Sequence, residues 1–211
     1  MSLRDDLLLY AVTDRSWLGD GDFYEQLEEI LKAGVTMVQL REKSLGYEAF
    51  REEAMRALPL CRQYGVPLII NDNVALAKEV GADGVHVGQS DMEIERAKAL
   101  LGPDKLVGGS AHNVEEALAA ERAGADYLGC GAIFGSATKT DAGKLALSTL
   151  KEICSAVRIP VVAIGGIEEA NLESLAGTGI AGAAVVSAIF AQEDKAAAVK
   201  HLLRLARKAA L

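Results

Sequence analysis

Short runs of β-branched and aliphatic residues alternate along this chain with longer stretches whose apolar residues recur every three or four positions. The runs are Leu8 to Thr13, Val35 to Leu40, Leu68 to Ile70, Gly84 to Val87, Leu106 to Gly108, Tyr127 to Gly129, Val161 to Ile164 and Ala183 to Val186. Each reads as a strand. Stretches between them, such as Phe50 to Leu58 and Val114 to Ala120, carry the period of an amphipathic helix. The predicted order is therefore βα, repeated, with eight candidate strands.

Such an order implies a parallel sheet with helical crossovers, either open or closed. An internal echo favours closure. Small-Gly-x-x-x-apolar turns enter the second, fourth, sixth and eighth strands, with glycines at 34, 81, 124 and 179. Their separations of 47, 43 and 55 residues match two βα units each. The predicted fold class is α/β, a single (β/α)8 TIM barrel spanning residues 1–211. The four glycines are expected to end helices in left-handed backbone.

Composition narrows the function. The chain has 211 residues, half of them hydrophobic, enough to bury a core without disulfide staples. No apolar run reaches the roughly 18 residues of a membrane span, and the first residues show no secretory signal, so a cytoplasmic protein with no membrane partner is expected. Cys61, Cys130 and Cys154 lie far apart and read as reduced, mostly buried thiols. A net charge of -8 argues against a nucleic-acid partner, so any anionic ligand must be held by local cations or a bridging metal.

Those local groups fall where strands run out into loops, the face on which barrels of this kind carry reactive residues. Gln39, Arg41 and Lys43 alternate at the end of the second strand, which in extended backbone would send all three to one side. A guanidinium and an ammonium together suit a polyphosphate. Asp72 and Asp91 close the third and fourth strands. Hard carboxylates suit Mg²⁺, although either could instead cap the helix that follows. Gly131 to Lys144 is rich in Gly, Ser, Thr and Lys, as a flap over phosphates would be. Gly165-Gly166 after strand seven and Val186-Ser187 after strand eight offer backbone N–H groups to a phosphate. His86 and His112 have no Ser or Cys partner in sequence and read as structural.

Taken in order, Gln39-Leu40-Arg41-Glu42-Lys43, Asn71-Asp72, His86-Val87-Gly88-Gln89-Ser90-Asp91, Gly109-Ser110-Ala111-His112, Ser136-Ala137-Thr138-Lys139 and Ile164-Gly165-Gly166-Ile167 resemble the thiamine phosphate synthase family over nearly the whole chain. The resemblance implies a transferase joining 4-amino-2-methyl-5-hydroxymethylpyrimidine diphosphate to 4-methyl-5-(2-hydroxyethyl)thiazole phosphate. It implies that Arg41, Lys43, Asn71 and Lys139 hold the pyrophosphate and that Asp72 and Asp91 bind Mg²⁺. Gln39 and Ser110 would meet the pyrimidine, Ser136 and Thr138 would line the flap, and Gly166, Val186 and Ser187 would bind the thiazole phosphate. Arg41, Lys43, Lys139 and Ser110 form the catalytic set on this reading. The family commonly has prolines near Ala132 and Gly135, so their absence is expected to loosen the flap. The rival readings are a thiazole tautomerase-like isomerase, a non-catalytic thiamine-phosphate-binding barrel, and another phosphate-binding barrel such as a sugar-phosphate epimerase.

Overall fold

The computed structural model describes residues 2–17, 19, 21–135 and 144–210. Eight parallel strands close in sequence order: β1 Leu9–Val12, β2 Met37–Leu40, β3 Leu68–Asn71, β4 Gly84–Val87, β5 Leu106–Ala111, β6 Tyr127–Cys130, β7 Val161–Ile164 and β8 Gly182–Val185. β8 returns to β1, with Leu9 beside Ala183. The helices are α1 Leu3–Asp6, α2 Phe23–Ala33, α3 Tyr47–Gln63, α4 Val74–Val80, α5 Ile94–Leu101, α6 Val114–Arg122, α7 Leu147–Ala156, α8 Glu169–Leu172, α9 Ser187–Phe190 and α10 Lys195–Ala209. The protein is a (β/α)8 TIM barrel, as its hydrophobic pattern predicts.

Strand alternation sorts the apolar residues into two cores. Leu9, Ala11, Val38, Leu40, Leu68 and Ile70 face the helices. Tyr10, Val12, Met37, Ile69, Tyr127, Val162 and Ala184 fill the barrel axis, and Leu3 and Leu7 plug its amino-terminal end. All four quasi-repeat glycines have positive φ, between 71° and 106°, where an L side chain would be strained. Burial pushes the thiols of Cys61 and Cys130 up to about 12, so neither is a thiolate nucleophile at neutral pH.

Two observations at strand ends bear on function. β5 runs on through Gly109-Ser110-Ala111, which lack strand propensity but pair with β6, Ser110 beside Gly129 and Ala111 beside Cys130. Ser110 is therefore fixed in the barrel wall and not carried on a loop. β2 stops at Leu40, so strand alternation does not extend to Arg41 and Lys43.

Candidate active site

The carboxyl-terminal ends of β1 and β2 are tied together first. Thr13 N–H donates to the Gln39 carbonyl at 2.9 Å, and Arg41 N–H donates to Thr13 Oγ1 at 3.0 Å. This brings the Arg41 guanidinium to 3.0 Å from Asp14, with both side chains mostly buried. Burial pushes the Asp14 carboxyl up, but hydrogen bonds from Ser16 and the charge of Arg41 outweigh it and hold Asp14 below its ordinary range. Beside them Arg15 bridges the buried carboxylates of Glu42, at 3.0 Å, and Glu53. Burial keeps the Glu42 carboxyl above its usual range despite that cation.

Gln39, Arg41 and Lys43, expected on one side, lie in three different settings. Gln39 is buried in the barrel axis and donates from Nε2 to Tyr10 Oη at 2.8 Å. Arg41 already has a counter-ion, while Lys43 is exposed on the loop beyond. Asp14 and Arg15 gave no sequence signal, because the first strand end carries no recognisable motif and the partners are 27 to 38 residues away.

At the β3 end the helix cap belongs to the neighbour of Asp72. Asn73, and not Asp72, caps α4, its Oδ1 accepting Leu76 N–H at 3.0 Å. Asp72 sits one residue earlier at φ 64°, the one non-glycine among the described residues with positive φ. Asn71 Nδ2 donates to its carboxylate at 2.6 Å, and its own N–H donates to the His86 carbonyl at 2.8 Å. Asp and Asn adopt left-handed backbone more readily than other side chains, because a short polar group can hydrogen-bond locally; an alanine there would cost roughly 1–2 kcal/mol. Asp91 is also not a helix cap: α5 begins after Glu93, and one Asp91 oxygen accepts Gly88 N–H at 2.7 Å. Asp91 remains exposed.

Across the barrel axis runs a connected row of polar side chains. Gln39 meets Tyr10, Tyr10 meets Tyr127 at 2.9 Å, Tyr127 meets His86 Nδ1 at 3.2 Å, and His86 Nε2 meets Ser110 Oγ at 3.1 Å. Burial drives both phenols well above the usual tyrosine range, so both stay protonated. Gly108 makes the row possible: an added Cβ would overlap the Tyr127 ring and lie 2.6 Å from His86 Nδ1. His86 is thus joined to an expected site residue, a link that the sequence did not reveal. His112 pairs with Glu116 and His201 with Glu169, each at 2.8 Å on the outer surface.

The β6 to β8 side is built from main chain. Ile133 and Phe134 N–H donate to the carbonyls of Ile164 and Gly165 at 3.0 Å, and Leu145 N–H donates to Ala132 at 2.7 Å. Ala132 to Phe134 thus take main-chain partners without proline. Gly165 and Gly166 have φ of 98° and 64°, and a Cβ on Gly166 would overlap the Gly135 carbonyl oxygen. Val186 precedes α9, whose first residue is Ser187. First-turn amides have no acceptor within their own helix. Ser136, Thr138 and Lys139 lie outside the described residues.

Fold and site together define a (β/α)8 barrel with side-chain charge on one side of its carboxyl-terminal mouth and glycine turns on the other. The family model described as thiamine monophosphate synthase matches residues 9–189. A thiamine-phosphate synthase of Clostridium acetobutylicum is 50% identical over 194 residues, covering 90% of this chain and 92% of the relative. One from Desulfitobacterium hafniense is 48% identical, covering 96% and 98%. The solved thiamine phosphate pyrophosphorylase of Pyrococcus furiosus superposes with a TM-score of 0.90 at 38% identity, covering 99% of both chains. The chain belongs to the thiamine monophosphate synthase family.

Proposed function

We propose that this protein is the transferase that condenses 4-amino-2-methyl-5-hydroxymethylpyrimidine diphosphate with 4-methyl-5-(2-hydroxyethyl)thiazole phosphate, giving thiamine phosphate and pyrophosphate. The observation that carries the reading is Asp72, held in left-handed backbone at the β3 end while Asn73 takes the helix cap, in a chain matched by the family model over 9–189. The reaction breaks the C–O bond between the pyrimidine methylene and the diphosphate, whose oxygen keeps the electron pair. The thiazole nitrogen lone pair then forms the C–N bond to the methylene cation. No general base is required, so the protein's work is charge stabilisation and alignment. Arg41, Lys43, Asn71 and Lys139 would meet the leaving pyrophosphate. Gln39 and Ser110 would position the pyrimidine, Ser136 and Thr138 would cover the phosphates, and Gly166, Val186 and Ser187 would hold the thiazole phosphate by main-chain N–H groups.

The donor set fits Mg²⁺ brought with substrate better than a resident ion. Among the described residues no group of three or more His, Cys, Asp or Glu side chains could hold a metal. Two carboxylates plus substrate phosphates and water are a common Mg²⁺ environment. Asp72 and Asp91 would hold the ion, which would neutralise charge on the departing pyrophosphate. The test is pyrophosphate release by the purified protein given both substrates, with Mg²⁺ and with excess EDTA. Release that needs both substrates and Mg²⁺, matched by thiamine phosphate, is expected. Binding of the thiazole phosphate without turnover would overturn the synthase reading in favour of a tautomerase or a binding barrel.

A further inference from the structure

The row of polar side chains across the barrel axis has a direction, set by hydrogen counting. Gln39 presents Nε2, a donor only, to Tyr10 Oη. Tyr10 is 1% exposed, and its hydroxyl touches only Gln39 and Tyr127 among the described residues. Its hydrogen therefore goes to Tyr127. The Tyr127 hydrogen then goes to His86 Nδ1, which must be the unprotonated nitrogen of the neutral imidazole. Nε2 carries the proton and donates to Ser110 Oγ. The opposite direction would leave the Tyr10 hydrogen buried with no acceptor, the costly outcome for a polar group cut off from water.

We infer that Gln39, Tyr10 and Tyr127 are positioning residues that lock His86 in its Nε2–H tautomer, leaving the Ser110 hydroxyl hydrogen free as a fixed donor to a ligand in the mouth. Ser110 Oγ has no other partner among the described residues, and the side chain is half-buried at the wall. A serine hydroxyl ordinarily rotates between donor and acceptor roles. Here the imidazole occupies its acceptor side, so Ser110 discriminates for a ligand atom with a lone pair, such as a ring nitrogen or a phosphate oxygen. The assignment of Ser110 to a ligand rests on the proposed synthase reading. The tautomer does not.

The two are therefore tested separately. ¹⁵N NMR of the imidazoles near pH 8.5, about two units above the ordinary histidine value, distinguishes protonated from bare ring nitrogens without any substrate. The expected His86 signature is Nε2–H with bare Nδ1; an Nδ1–H signature overturns the direction. Tyr127→Phe removes the hydrogen that Nδ1 accepts, so the Nδ1–H form is expected to appear alongside the other. An unmixed Nε2–H signal in that variant would show that the row does not set the tautomer. If Tyr127→Phe fails to fold, the wild-type spectrum still decides the direction. Tyr127 is fully buried, yet its Phe variant is expected to lose about tenfold in kcat/KM, the scale of one hydrogen bond. In a Ser110→Ala background the same change should cost nothing further. A persisting loss there would assign Tyr127 a general structural role and sink the donor argument. Absence of turnover in the wild type would count against the synthase reading alone.

Discussion

The two sides of the barrel mouth are built by different means. From β1 to β5 the surface is made of charged and polar side chains already bonded, Arg41 to Asp14, Asn71 to Asp72 and His86 to Ser110, with Asp91 accepting the main-chain N–H of Gly88. From β6 to β8 it is made of glycine turns and the start of a short helix, with the loops stitched by main-chain hydrogen bonds. The difference teaches what each side is suited to do. Side chains preassembled in pairs can meet a leaving group whose charge changes during reaction, and they spend little reorganisation in doing so. Main-chain donors suit a phosphate whose charge stays constant throughout. Under the proposed function the first side would set kcat and the second KM.

The largest expected effect is on the first side. Asp72→Asn should lower kcat by about 10²-fold or more, since a charge pair near 4 Å is worth roughly 4 kcal/mol at an effective dielectric near 20. Stability should barely change, because asparagine tolerates left-handed backbone. Asp72→Ala should show the same kinetic loss and unfold about 1 kcal/mol more easily. A wild-type rate and Mg²⁺ response in Asp72→Asn would erase the distinction between the two sides. Next comes Gly166→Ala on the second side, where positive φ and the nearby Gly135 carbonyl predict a cost of about 1–3 kcal/mol. Its KM for the thiazole phosphate should rise about tenfold with kcat nearly intact, measured by steady-state pyrophosphate release. A kcat loss at constant KM would reverse the assignment. The smallest effect concerns acid stability. Asp14 titrates below its ordinary value, so its contribution is complete above about pH 3.9 and is lost as pH falls through the lower folded value. Asp14→Asn should therefore lower the neutral plateau of stability by about 1 kcal/mol or less and leave the acid end unchanged, so that the limb between them flattens.

The sequence made the strand order and the glycine periodicity legible because both follow from local pattern, and every predicted strand overlaps an observed one. β5 was cut short because Gly109, Ser110 and Ala111 have little strand propensity of their own and are held by pairing with β6. The site was legible as residue types at strand ends, but not as pairs. Arg41 reads as a free cation until Asp14 is placed beside it. Asp72 reads equally as a metal ligand or a helix cap until Asn73 is seen taking the capping role. Tyr10 and Tyr127 read as apolar strand residues, since alternation does not show that β1 and β6 send them to one point on the axis, 117 positions apart.

Gly108 has no functional group, yet the Tyr127 ring and His86 occupy the volume its side chain would fill. That volume makes the order of evolutionary change matter. An alanine there would become tolerable only after Tyr127 or His86 had been replaced by something smaller, and restoring the larger residue afterwards would meet the same overlap. The three positions are coupled, so homologues that differ at one of them should differ at another, and a mouth grafted from such a homologue must bring all three together.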